Sequence, residues 1–248
     1  ADQLQAEDLR KRQGVGAGAF DARRYSAERA RTLQPLGRKR DEPTLFLRVR
    51  QFQSSHQWKK LHLPGVCGLR FANANSHADA YAHDSHRGTF AAAVVDGIGS
   101  TPEVADFARA AAVVAARMAA RETPVLGVVA AAAPYADPDD DSAEPGGAIV
   151  VASVRAGEHW RVAYAGDSAA YGLKDDGTLS RFTTPHTLGE ELRQQGVPDT
   201  EAAAHDHKLR HHVGRVPLYG VEGFEATARL LVLASDGLKV PHDELRTL

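Results

Sequence analysis

Three stretches decide how this chain is read: FAAAVVDGIGS (Phe90–Ser100), WRVAYAGDS (Trp160–Ser168) and RLLVLASDG (Arg229–Gly237). Each is apolar in the manner of a buried strand until it breaks on an Asp-Gly or Gly-Asp pair. Glycine permits a sharp exit at that point, so the strand delivers a carboxylate to the edge of its sheet. A single Asp-Gly pair is ordinary turn chemistry. Three at the ends of three buried-type strands predict that Asp96, Asp167 and Asp236 converge. Clustered carboxylates repel one another unless a cation neutralises them, and oxygen-only ligands favour Mg²⁺, Mn²⁺ or Ca²⁺ over Zn²⁺.

Working outward, ADAYAHD (Ala78–Asp84) and TFAAAVVDG (Thr89–Gly97) are expected to form a hairpin around SHRG (Ser85–Gly88). Ser100 or Thr101 then caps a helix that has Pro102 and Glu103 in its first turn and runs to about Arg121. A second helix is expected over 125–136. GAIVVASVRA (Gly147–Ala156) and HWRVAYAG (His159–Gly166) predict two long strands joined by a tight turn, and AAYGLKDDGTLSRFT predicts a further hairpin about Asp175–Gly177. LGEELRQQG (Leu188–Gly196) predicts a short helix with Gly196 beyond its C-terminus. LFLRVRQF, from Leu45, and VCGLRFA (Val66–Ala72) are the earliest candidate strands. Runs of strands, then paired helices, then more strands give an α+β layered domain rather than a βαβ repeat.

The chain has 248 residues, 43% apolar and 25% charged, with a formal net charge of −2. These are ordinary globular proportions, with no global field that would draw nucleic acid or an anionic membrane. The lone Cys67 forms no internal disulfide and fits a reducing compartment. Residues 1–44 differ from the rest. They are rich in charge, as in GRKRDE (Gly37–Glu42), and poor in large apolar residues, so a solvated or partly disordered extension is expected there. The acidic loop DPDDDSAEPGG (Asp137–Gly147) lacks the central glycine and closing glutamate of a calcium loop and is expected to be solvated. His205, His207, His211 and His212 in HDHKLRHH do not share one helix face and predict no metal site. His186, in TTPHT, is expected to serve packing.

The order VVDGIGS, GGAIVVASV, VAYAGDSAAYGL, FTTPHTLGEEL and LLVLASDGL resembles the metal-dependent protein phosphatases of the 2C type (the PPM family), bacterial branch, over about residues 66–248. That resemblance implies a four-layer α-β-β-α sandwich of two antiparallel sheets flanked by helices, formed by residues 45–248. It implies a serine/threonine protein phosphatase, cytoplasmic and monomeric, acting on phosphoproteins and not on nucleic acid or membrane. Phosphomonoester hydrolysis would use water activated by a dinuclear Mn²⁺ or Mg²⁺ centre, with a third, weaker metal site.

By the same resemblance Asp96 bridges both metals, the carbonyl of Gly97 completes one of them, Asp236 ligates the second, Asp79 holds metal-bound waters, and Asp167 serves the third. The chain departs from the family pattern in places. Ala74 stands where a phosphate-clamping Arg is usual, leaving Arg70 as the nearest candidate, and Ala78 and His77 replace the usual neighbours of Asp79. Ile98 follows Asp96-Gly97, as is common in bacterial members. The sequence stops at Leu248 without the family's terminal Asp-Asn pair, so a missing last strand and a weak second metal are expected. These departures motivate an alternative, a pseudophosphatase acting as a phosphoprotein-binding or scaffold module. A third reading is a stress- or sporulation-type regulator contacted through residues 1–44.

Overall fold

The computed structural model describes residues 44–48, 58–63, 66–72, 78–135, 145–173 and 178–236, the first three stretches as backbone. The chain divides into two units, Ala1–Gln34 and Pro35–Leu248, and every described residue lies in the second. Residues 1–43 of the charged extension, most of the acidic loop, the Asp175–Gly177 turn and the segment beyond Asp236 lie outside the described residues.

Strand β5 (Thr89–Gly97) shows how the layers arise. Its side chains alternate between two faces, as the strand period requires. Ala91, Ala93 and Val95 join a core with helices α1 (Pro102–Arg121) and α2 (Pro124–Ala132). Phe90, Ala92 and Val94 instead join a second core that contains Leu231 and Leu233 of the opposite sheet. One strand therefore borders both interiors, and both of its faces are apolar.

The sheet around β5 has five strands in the order β10-β7-β6-β5-β4. They are β4 (Asp79–His86), β6 (Gly147–Arg155), β7 (Trp160–Ala165) and β10 (Glu222–Ala226), all paired antiparallel. The predicted hairpin is present, with Asp79 opposite Asp96 and His86 opposite Thr89. The second sheet has six strands in the order β2-β3-β1-β11-β8-β9. These are β1 (Thr44–Arg48), β2 (Trp58–Leu63), β3 (Val66–Ala72), β8 (Ala169–Leu173), β9 (Leu179–Arg181) and β11 (Leu230–Ala234). Two sheets with flanking helices are as expected. The six-stranded sheet is mixed, because β1 runs parallel to both β11 and β3.

Helix α1 begins as its sequence dictates: the Thr101 hydroxyl accepts from the Val104 N–H at 3.4 Å, and Pro102 occupies the first turn. Its buried face is almost all alanine with Val104 and Phe107, so the helix lies close against β4, β5 and β6. Thr123 caps α2 in the same way, at 3.2 Å from the Leu126 N–H. Among the described residues the substantial helix-to-sheet packing is all on the five-stranded sheet. A third helix, α3 (Leu188–Gln194), is capped by Thr187 and followed by Gly196 at φ +86°. Among the described residues, no helix is long and apolar enough to cross a membrane.

Candidate active site

The inter-sheet face of β5 continues by parity from Phe90, Ala92 and Val94 to Asp96, which therefore ends the row at the rim of the cleft between the sheets. Asp79, first residue of β4, is its cross-strand partner and shares that face. The other two carboxylates arrive by different routes. Strands β7 and β8 lie in different sheets, so the chain crosses the sandwich at Gly166-Asp167-Ser168. The β8–β11 register, with Ala169 opposite Ala234, brings Asp167 and Asp236 together just past the end of that ladder.

Close backbone approach shapes both ends of the site. Gly97 donates its N–H to the Ala78 carbonyl at 3.0 Å, and a Cβ there would fall 2.4 Å from a Val104 methyl and 2.8 Å from that carbonyl oxygen. Gly166 adopts φ +109°, a conformation L side chains rarely take, and a Cβ on it would fall 2.4 Å from that of Ala148. The two glycines thus keep the turns carrying Asp96 and Asp167 tight.

The electrostatics report crowding. Burial pushes the Asp96 carboxyl up to about 9, reinforced by its hydrogen bond to Asp79 and by the charges of Asp79 and Asp236. Asp167 is pushed up to about 6, first by burial and then by Asp236, against the opposing pull of its backbone hydrogen bond and of Arg181. Asp96 is thus the hub of a carboxylate cluster, within side-chain reach of both Asp79 and Asp236. Among the described residues no three His, Cys, Asp or Glu side chains form a ready-made metal cage. The chemistry of the donor set nevertheless suits a hard divalent ion, since such a cation would do for all of these oxygens what a proton does for Asp96.

Asp79, Asp96, Asp167 and Asp236 are brought to one end of the sandwich, and Gly97 sits beside them. Arg70 lies in β3 opposite Lys60, in the six-stranded sheet and separated from β11 by β1. Ile98, 43% exposed, follows Gly97 at the rim.

Two residues near the cluster carry more than the sequence suggested. Arg181 donates from Nη2 to the Asp167 carbonyl at 2.8 Å. His186 accepts the Gly166 N–H on Nδ1 at 3.1 Å, stacks on Tyr164 and faces Glu222. The one sequence signal was the presence of TTPHT and GDS in the same ordered set of motifs. Nearby, His211 is held low, at about 4, by burial and by the adjacent His186, and its ring Nε2 lies 2.9 Å from the Gly220 carbonyl.

No protein-family model matches the chain, and no curated protein matches it by sequence. Solved structures do. A variant of a bacterial serine phosphatase superposes with a TM-score of 0.56 and 16% identity, covering 79% of this chain and 84% of that one. A bacterial serine phosphatase gives 0.52 and 17%, with 70% and 78% covered. The PPM Ser-Thr phosphatase MsPP of Mycobacterium smegmatis, in complex with cacodylate, matches more loosely, at 0.46 and 21%, with 62% and 75% covered. The first two likenesses establish the architecture: this chain is folded as the bacterial serine phosphatases are.

Proposed function

We propose that the protein is a metal-dependent serine/threonine protein phosphatase. The observation that carries this reading is the cluster of Asp79, Asp96, Asp167 and Asp236 at one end of a sandwich folded like serine phosphatases. Asp96 and Asp236 would hold a pair of Mn²⁺ or Mg²⁺ ions, with the Gly97 carbonyl beside them, Asp79 ordering water at the rim and Asp167 serving a further, weaker site. When bound, such ions supply Lewis acidity and lower the pKa of water. The protein's own part is to fix carboxylates of the two sheets against each other and to keep the turn backbones tight through Gly97 and Gly166. The substrate would be a phosphorylated Ser or Thr of another protein, in the cytoplasm.

Hydrolysis of an aryl phosphate in the presence of Mn²⁺ tests the reading. Activity should vanish with chelator, survive alkylation of Cys67, and fall about a thousandfold or more in Asp96→Asn, because several kcal/mol of transition-state stabilisation would be lost. Activity that persists in chelator would reject it. The position of Ala74, where the resembled family has a phosphate-clamping Arg, favours a second reading as a phosphoprotein-binding module. Metal-loaded protein that binds a phosphopeptide without turning it over would support that reading.

A further inference from the structure

The imidazole of His186 is tied at both nitrogens, and packing alone requires neither tie. Nδ1 accepts the Gly166 N–H at 3.1 Å, while the His186 backbone N–H returns a bond to the Gly166 carbonyl, also 3.1 Å. Nε2 lies 3.0 Å from the Glu222 carboxylate. An acceptor at Nδ1 and a carboxylate at Nε2 are compatible with one neutral tautomer, protonated on Nε2. Glu222 is itself fixed, because its other oxygen accepts from the Tyr164 hydroxyl, and the Tyr164 ring stacks on the imidazole at 4.8 Å and 17°. Tyr164, Glu222 and His186 thus form a relay of fixed orientation ending on the backbone of Gly166, the residue before Asp167. On the far side Arg181 holds the Asp167 carbonyl at 2.8 Å. The backbone of Asp167 is pinned at both ends, in a turn whose first residue only glycine tolerates.

We propose that His186 is a positioning residue for Asp167: it sets the Gly166-Asp167 turn, and so aims the Asp167 carboxylate at the cation. This rests on the metal-centre reading above. Partners that orient a ligand without touching the metal are typically worth 10–100-fold in metal affinity.

Two measurements on the whole chain test it. In chelated protein, nitrogen-15 NMR of the His186 ring should show the Nε2-protonated tautomer, retained in Glu222→Ala because the Gly166 N–H still donates to Nδ1. The Glu222 side chain is 60% exposed, so that variant leaves the core intact. Calorimetric Mn²⁺ titration should then show the Asp167-dependent component weakened roughly tenfold or more in His186→Ala. His186→Asn, which restores an acceptor near the Nδ1 position, should recover most of the loss. Asp167→Asn combined with His186→Ala should be no weaker than Asp167→Asn alone, since the two residues act through one carboxylate. Additive losses, unchanged affinity in His186→Ala, or an Nδ1-protonated ring would each overturn the inference. If His186→Ala does not fold, the tautomer and His186→Asn decide it. A parent protein that takes up no Mn²⁺ would reject the metal-centre reading and this inference together, whereas Mn²⁺ binding that ignores His186 would reject this inference alone.

Discussion

The interior between the two sheets has a dry half and an acidic end, and the same strands supply both. Along β5 the inter-sheet face runs Phe90, Ala92, Val94 and then Asp96. Along β7 it runs Trp160, Val162 and Tyr164, whose hydroxyl already reaches a carboxylate. In the dry half every side chain gains by leaving water. At the acidic end carboxylates are desolvated beside one another, an arrangement that costs stability. The contrast separates what holds this molecule together from the end proposed to hold the cation, where strain is the expected companion of function.

The largest effect should come from breaking the dry half. Trp160 is almost fully buried and donates its indole N–H to the Ala228 carbonyl at 3.0 Å. Trp160→Ala should cost about 3–5 kcal/mol of unfolding free energy in chemical denaturation. Trp160→Phe, which loses the hydrogen bond but little volume, should cost much less.

The next effect lies close to the acidic end. The pKa of His211 is lowered in the folded protein to about 4, so folding favours its neutral form. The stability this confers is fully present above the unfolded value near 6.5 and is lost as pH falls from there toward 4, with no further loss below. Allowing for solvent screening, the loss is on the order of 2 kcal/mol. The raised Asp96 and Asp167 carboxyls impose the opposite slope on any variant that keeps them, so the readout is the difference in denaturation between parent and His211→Gln. The parent should lose about that much relative to the variant as pH falls from 6.5 to 4.

The smallest effect has the opposite sign to the first. Asp96→Asn removes one of the crowded carboxylates and should raise the stability of the chelated protein by about 1 kcal/mol, a Tm gain of about 2–4 °C. A loss of stability instead would mean that the acidic end is not strained, and the contrast between the two halves would fail.

Much of this was legible in the sequence because it is local. The alternation of β5, the cap at Thr101 and the strand-ending aspartates follow from short stretches read alone. Strands β2 and β10 were not anticipated; both are sheet edges whose sequences carry charge, Lys59 and Lys60 in one and the exposed Glu222 and Glu225 in the other. Edge strands need no two-sided apolar pattern, and charge on them discourages unwanted pairing. The parallel placement of β1 was hidden for a different reason, since its partners lie far away along the chain. His186 was expected only to pack. Its role depends on Gly166 and Glu222, 20 and 36 positions distant, and no local pattern announces such a meeting.

Asp96 and Asp236, which come from different sheets, are proposed to share a hard divalent cation. Calorimetric titration of Mn²⁺ into chelated protein, run in parallel on the parent, Asp96→Asn and Asp236→Asn, tests it most directly. The parent should bind clearly, Asp96→Asn should lose nearly all binding, and Asp236→Asn should be weakened. Equal binding by the three proteins would contradict the shared site.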